Sequence, residues 1–340
     1  MTDRTARIDS FLAHSGWAAA QRSPLAGDAS NRRYERLARA DGSRAVLMDA
    51  PPDTNPPVSA FRDIALYLGH LGLSPPDVLA CDEALGLMVL EDLGDALFAN
   101  LMRARPTQDH TLYTAATDVL VHLHQALAPT DLPAPKAREL AEMTTPVFDW
   151  YAAGAGHPDS AARNELVSAL HTLLERYAVG HTVLALRDYH AENLLWLPNR
   201  AGLARVGLLD FQDAFQAHPA YDLVSLLQDA RRDVPERIET AMIARYVDAT
   251  GVDSAAFQAA YAVLGAQRNL RILGVFARLS LQAGRPHYVD FIPRVWGYVL
   301  RDLQHPALKP VAAIVRSALP EPTPSLLRKL KDERTTCPNP

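Results

Sequence analysis

Hydrophobic and polar positions follow two different rhythms along this chain. In the stretch from Thr5 to Trp17, Ile8, Phe11 and Leu12 fall at helical spacing and predict a short amphipathic helix. Alternation over Arg33-Tyr34-Glu35-Arg36-Leu37, then Asp41-Gly42, then Ala45-Val46-Leu47-Met48 predicts a β-hairpin, because Asp-Gly readily adopts the positive φ angles of a tight turn. A proline-rich break from Pro51 to Pro57 ends it. Phe61 to Leu71 predicts a helix with Ile64, Leu68 and Leu71 on one side, and 77–81 with 87–90 predicts a second hairpin. After Gly94 the helical period dominates, in 112–127, 163–177, 237–248 and 257–282. Only three β-like pieces interrupt it, at 183–185, 193–197 and 206–209.

A small β-rich N-terminal lobe followed by a large, mostly helical C-terminal lobe is an α+β bilobal arrangement. The expected division is 1–92 as a nucleotide-binding lobe, 93–320 as a catalytic and substrate lobe, and 321–340 as a flexible tail mixing proline with charge.

The 340 residues are 48% hydrophobic, enough for a sizeable core and against a disordered chain. A net charge of −5 argues against a nucleic-acid partner recruited by bulk charge. No apolar run approaches the length of a membrane span, and the first ten residues carry no apolar segment of a secretory signal. The expectation is therefore a cytoplasmic protein with no membrane or nucleic-acid partner; oligomeric state has no signature. Cys81 and Cys337 make no disulfide framework, and the scattered histidines no zinc pattern. Lysine is scarce: Lys136, Lys309, Lys329 and Lys331 are the whole complement.

Chemistry concentrates in Leu186-Arg187-Asp188-Tyr189-His190-Ala191-Glu192-Asn193, followed after β-like residues by Leu208-Leu209-Asp210-Phe211. Phosphoryl transfer from ATP uses such a set. One carboxylate accepts the hydroxyl proton, while an amide oxygen and a second carboxylate hold Mg²⁺, a hard ion that wants oxygen ligands. Taken singly, Asp188 and Asn193 are also ordinary turn residues.

Asp-x-x-x-x-Asn followed by Leu-Leu-Asp-Phe resembles the catalytic and metal loops of the protein-kinase-like superfamily, and within it the aminoglycoside phosphotransferase family. The longer runs 186–190, 207–214 and 218–231 resemble the members that phosphorylate the amino sugars N-acetylmuramate and N-acetylglucosamine at the anomeric hydroxyl in cell-wall recycling. The resemblance implies a kinase-like fold, ATP and Mg²⁺ as cofactors, a small-molecule amino sugar as partner, Asp188 as the catalytic residue, and Asn193 and Asp210 as metal ligands. Another acceptor of the family, such as choline or an aminoglycoside, and a non-catalytic nucleotide-binding scaffold are the alternatives.

His190 either braces the loop or moves protons, and Asp222 either starts a helix or also tethers the loop. In the small lobe, Ser30 and Asn31 stand where a Gly-rich loop covers phosphates, but Gly27 alone makes no GxGxxG. Met48 replaces the lysine expected on the third strand, which leaves Arg32 and Arg33 as candidate phosphate cations or as a solvated strand face. The resemblance places adenine recognition at the backbone near Glu91 and Leu93. Glu192, Gln212 and Asp213 are polar loop residues suited to sugar hydroxyls, and Arg231 is either a partner for a sugar carboxylate or a surface arginine.

Overall fold

The computed structural model describes residues 2–25, 32–180 and 182–332. The chain divides into two compact units, one of Met1–Val119 with Ala191–Asp213, the other of Leu120–His190 with Ala214–Pro340. The division therefore does not fall at 92/93: residues 93–119 and 191–213 group with the N-terminal sheet.

In the first unit, strands β1 (Gln21–Leu25), β2 (Arg33–Ala38), β3 (Arg44–Asp49), β4 (Val78–Asp82) and β5 (Leu87–Glu91) form an antiparallel sheet in the order β1-β2-β3-β5-β4. The predicted alternation decides its faces. Leu37, Ala45, Leu47, Leu87 and Val89 pack on Ile8, Phe11 and Leu12 of helix α1 (Thr2–His14) and on Trp17. The register Arg36↔Val46↔Leu90 and Tyr34↔Met48↔Met88 puts those residues on the opposite face. Both hairpins turn through glycine at positive φ. At Gly86 a side chain is also sterically barred, because a Cβ would lie 2.1 Å from the Ala50 carbonyl oxygen. The edge strand β1, Gln-Arg-Ser-Pro-Leu, has no apolar alternation and was not predicted; Pro24 is tolerated there because an edge strand need not donate every amide.

The same unit contains α2 (Ser59–His70), α3 (Phe98–Ala104), the first part of α4 (Asp109–Leu123), and a hairpin of β7 (Leu194–Trp196) and β8 (Val206–Leu208). That hairpin bridges Gly207 to Ser74 and Leu195 to Leu97, and Ser74 Oγ donates to the Ala204 carbonyl at 2.8 Å.

The second unit is helical apart from β6 (Val183–Ala185) paired with β9 (Phe215–Ala217). Its helices are α5 (Ala137–Glu142), α6 (Ala153–Ala155), α7 (Ser160–Tyr177), α8 (Ala220–Leu227), α9 (Glu236–Thr250), α10 (Ser254–Leu281), α11 (Ile292–Asp302), α12 (Lys309–Ala318) and α13 (Pro324–Asp332). The 28-residue α10 is the core element, buried continuously from Ala259 to Leu270. It passes so close to residues 146 and 147 that a Cβ at Gly274 would sit 2.1 Å from the Pro146 carbonyl carbon.

The expectation of a loose tail is corrected over 324–332. Leu326 and Leu330 of α13 are buried, and Ser280 Oγ donates to the Leu330 carbonyl at 2.7 Å. The charge that suggested a tail lies on the outer face of an amphipathic helix. Among the described residues no helix is long and apolar enough to cross a membrane. Cys81 is a half-buried free thiol, and Cys337 lies outside the described residues.

Candidate active site

The loop that follows β6 is held by α8 and α10. The Asp222 carboxylate accepts the amides of Leu186 at 2.6 Å and Arg187 at 2.9 Å, so the tethering alternative for Asp222 holds. Ser225 Oγ donates to the Arg187 carbonyl at 3.2 Å and accepts from Arg268 Nη2 at 2.7 Å. These contacts fix Arg187 in the left-handed region at φ +73°, a conformation unfavourable for a side chain that large. The strained turn presents Asp188 to the guanidinium of Arg268, 3.7 Å from Asp188 Oδ1. Burial alone would push the Asp188 carboxyl up. The charge of Arg268, with those of Arg187 and Arg271, outweighs it and holds the group below its usual value, so it is a carboxylate at neutral pH.

His190 is 5% exposed, and burial pushes its imidazole pKa down. Its Nε2 lies 3.1 Å from Arg231 Nη1, which can only donate, so Nε2 is the acceptor and the ring is neutral. This favours bracing over proton transfer for His190. Arg231 therefore has Nη1 on His190, and its amide donates to Asp229 Oδ1 at 2.9 Å.

Burial pushes the Asp222 carboxyl up to about 7, against the opposing pull of the two amides and Arg268. Below that pH the proton goes on, and a neutral acid is a weaker acceptor for the Leu186 and Arg187 amides. The catalytic rate is therefore expected to fall on the acid side with an apparent pKa near 7. Asp222→Asn, which cannot titrate and can accept only one of the two amides, is expected to lose that limb and to turn over about tenfold more slowly at pH 8. A pH series of kcat for both proteins checks this.

In the first unit, the β7–β8 hairpin carries the other half of the predicted set. The Leu209 amide donates to the Asn193 carbonyl at 2.9 Å, and Asn193 Nδ2 lies 3.4 Å from Asp210 Oδ2. Asp210 is exposed and left-handed at φ +59°, which Asp tolerates better than most residues. Arg187 and Asp210 are the two non-glycine residues at positive φ among the described residues. Phe211 stacks on Phe61 of α2 with centroids 4.7 Å apart, which anchors the segment while Asp210 stays outside. Gln212 Nε2 donates to Asp210 Oδ1 at 2.7 Å, so Gln212 orients this carboxylate; Asp213 is exposed and Glu192 half-buried.

The amide oxygen of Asn193 and the carboxylate of Asp210 are hard donors with adjacent side chains. That donor set fits a magnesium-class ion, which keeps several waters and needs few protein oxygens.

The nucleotide-side predictions separate. Ser30 and Asn31 lie outside the described residues. Arg32 is 9% exposed and hydrogen-bonds Tyr34, whose hydroxyl also feels the charge of Asp210, so Arg32 is near Asp210. Arg33 is exposed, and by alternation it shares the α1-facing side of β2 with Leu37, opposite to Tyr34 and Met48. Met48 is 1% exposed beside Met88, and Arg62 of α2 pairs with Asp63 and Glu83, so no lysine–glutamate pair exists here. The Glu91 amide donates to the Asp77 carbonyl at 2.8 Å and its carboxylate pairs with Arg200; Leu93 is half-buried.

Sequence reasoning missed Arg268, Arg271 and Ser225. The available signal was Gln267-Arg268-Asn269, three polar residues in a row inside the otherwise apolar middle of a predicted core helix.

An antiparallel sheet unit, a helical unit and an Asp-x-x-x-x-Asn loop followed by a metal-type aspartate define a kinase-like phosphotransferase. The chain belongs to the phosphotransferase enzyme family, whose family model matches residues 21–263. It is 41% identical to the N-acetylmuramate/N-acetylglucosamine kinase of Caulobacter vibrioides, over 92% of this chain and 96% of that one. It is 33% identical to the kinase of the same name from Neisseria meningitidis, over 85% of this chain and 88% of that one. Among solved structures it is similar to a choline/ethanolamine kinase family protein from Mesorhizobium loti, with a TM-score of 0.60, 15% identity, and 92% and 99% of the two chains covered. At that identity the likeness speaks for the fold alone.

Proposed function

We propose that this chain is an ATP- and Mg²⁺-dependent cytoplasmic kinase that phosphorylates the anomeric hydroxyl of N-acetylmuramate and N-acetylglucosamine, giving the sugar 1-phosphate for peptidoglycan recycling. The observation that carries the choice of acceptor is the charge around Asp188. Arg187, Arg268 and Arg271 are all within electrostatic reach of it, a setting that accepts a neutral or anionic sugar and repels a cationic acceptor such as choline. The curated relatives' names point the same way.

In this reading Asp188 orients the sugar hydroxyl and takes its proton as the new oxygen–phosphorus bond forms and the bond to ADP breaks. Arg268 keeps Asp188 ionised, and Asp222 and Ser225 keep the loop in its strained turn. Asn193 and Asp210 would hold the divalent ion, which when bound neutralises charge on the β- and γ-phosphates. Gln212 orients Asp210, and Arg32 supplies the cation that Met48 cannot. Asp213 and Glu192 are polar groups available to the acceptor's hydroxyls.

An acceptor screen with labelled ATP tests the proposal, with phosphorus NMR to identify the product. Transfer to the two amino sugars, and a phosphorus coupled to the anomeric proton, is the expected result. Preferential turnover of choline or an aminoglycoside would overturn it, as would tight ATP binding without transfer to any acceptor.

A further inference from the structure

The second unit holds more positive charge beside Asp188 than phosphotransfer by that residue requires. Arg268 and Arg271 lie one turn apart on α10 and so project from the same face. Arg268 is 7% exposed, and its Nε is buried without a hydrogen-bond acceptor although its Nη2 donates to Ser225. Arg271 is half-buried and makes no hydrogen bond or ion pair among the described residues. Its surroundings are Tyr221, Arg187, Arg268 and Asp188, and burial with its two guanidinium neighbours pushes its pKa down. Arg268 thus lies 3.7 Å from the Asp188 carboxylate, with Arg187 and Arg271 within electrostatic reach of it, while Asp222 spends its oxygens on the loop amides.

Partly buried cations with unused donors are costly unless an anion meets them. Two anions come to a kinase of this kind, the transferred phosphoryl group and any acid on the acceptor. The first unit has its own cation for phosphate, Arg32, close to Asp210. Arg271 shares its surroundings with Asp188, the group that handles the acceptor. A guanidinium also meets a carboxylate through two parallel hydrogen bonds, which a lone ammonium cannot do.

We propose that Arg271, flanked by Arg187 and Arg268, is a specificity residue that binds the carboxylate of the acceptor sugar and so sets the preference for N-acetylmuramate over the neutral N-acetylglucosamine. The proposal rests on the amino-sugar kinase reading above. Arg231 has Nη1 on His190.

Steady-state kinetics on both sugars, with the wild type, Arg271→Gln and Arg271→Lys, test it. For Arg271→Gln the ratio of kcat/KM on N-acetylmuramate to that on N-acetylglucosamine is expected to fall about 10- to 100-fold, mostly through KM, as for loss of a charge-assisted hydrogen bond. Arg271→Lys should recover part of the ratio. The wild type alone gives a second readout, independent of how the variants fold: the methyl ester of N-acetylmuramate should lose the advantage of the free acid, and added salt should raise KM for the acid more than for N-acetylglucosamine. An equal loss on both sugars would place Arg271 on the phosphoryl group and overturn the proposal. An ester as good as the acid would overturn it as well. Wild type that turns over neither sugar overturns the kinase reading itself, a result distinct from an unchanged ratio.

Discussion

Asp188→Ala is expected to lower the rate of phosphoryl transfer by about three orders of magnitude while leaving nucleotide affinity unchanged. The size is that of removing a positioned general base, roughly 10²–10⁴ in rate. Nucleotide affinity should survive because the metal pair and Arg32 belong to the first unit, whereas Asp188 and the groups that hold it belong to the second. Truncation also leaves Arg187, Arg268 and Arg271 without their shared carboxylate, so the variant should melt below the wild type. Asp188→Asn keeps the shape of the side chain but loses both the base and the charge, so it should be equally slow and should also melt below the wild type, which separates lost charge from lost packing. Single-turnover transfer, titration with ADP and a melting curve for each protein check these outcomes. Near-normal turnover by either variant would remove Asp188 from the chemistry.

The second large effect is expected at Asp210, where the choice of variant matters. At φ +59° alanine would add backbone strain of about 1–2 kcal/mol to the loss of the carboxylate. Asparagine tolerates that conformation and can still accept from Gln212, so Asp210→Asn isolates the charge. With one neutral oxygen in place of a carboxylate, the divalent-ion requirement should shift to much higher concentration. The maximal rate should fall by about 10²–10³, the several kcal/mol that charge stabilisation by a bound ion supplies. Activity measured across a Mg²⁺ series at saturating ATP checks this. An unaltered Mg²⁺ dependence would show that Asp210 is not a ligand.

What the sequence made legible follows from the range of the interactions involved. Hairpins at Asp41-Gly42 and Gly86, and helices from 59 to 70 and from 254 to 281, were readable because alternation, turn chemistry and helical period act over a few residues. Asp188, Asn193 and Asp210 were readable because the chemistry fixes their spacing along one stretch of chain. The choice between the two readings of Arg32 and Arg33 was not legible, because chain neighbours point to opposite sides: Arg32 lies by Tyr34 and Asp210, and Arg33 is exposed on the other face of β2. For Arg268 the polar run 267–269 marked only an unusual helix position, and for Arg271 nothing did, since their meeting with Asp188 comes from the packing of α10 eighty positions later. The boundary at 92/93 failed for the same reason: the bridge of Ser74 to Gly207 is a long-range pairing with no local signature. Similarly, β9, Phe-Gln-Ala, lacks the continuous apolar run that made the equally short β6 readable.

The first unit is interrupted, its final piece at 191–213 separated from Val119 by 71 residues of the second. During synthesis the sheet therefore emerges from the ribosome well before the strand pair that partners Ser74 and the ring that covers Phe61. The sheet's α1-covered face can close early, but Phe61 of α2 and the edge at Ser74 stay uncovered until translation passes residue 213, an interval in which the nascent chain is exposed to the misassembly that chaperones prevent.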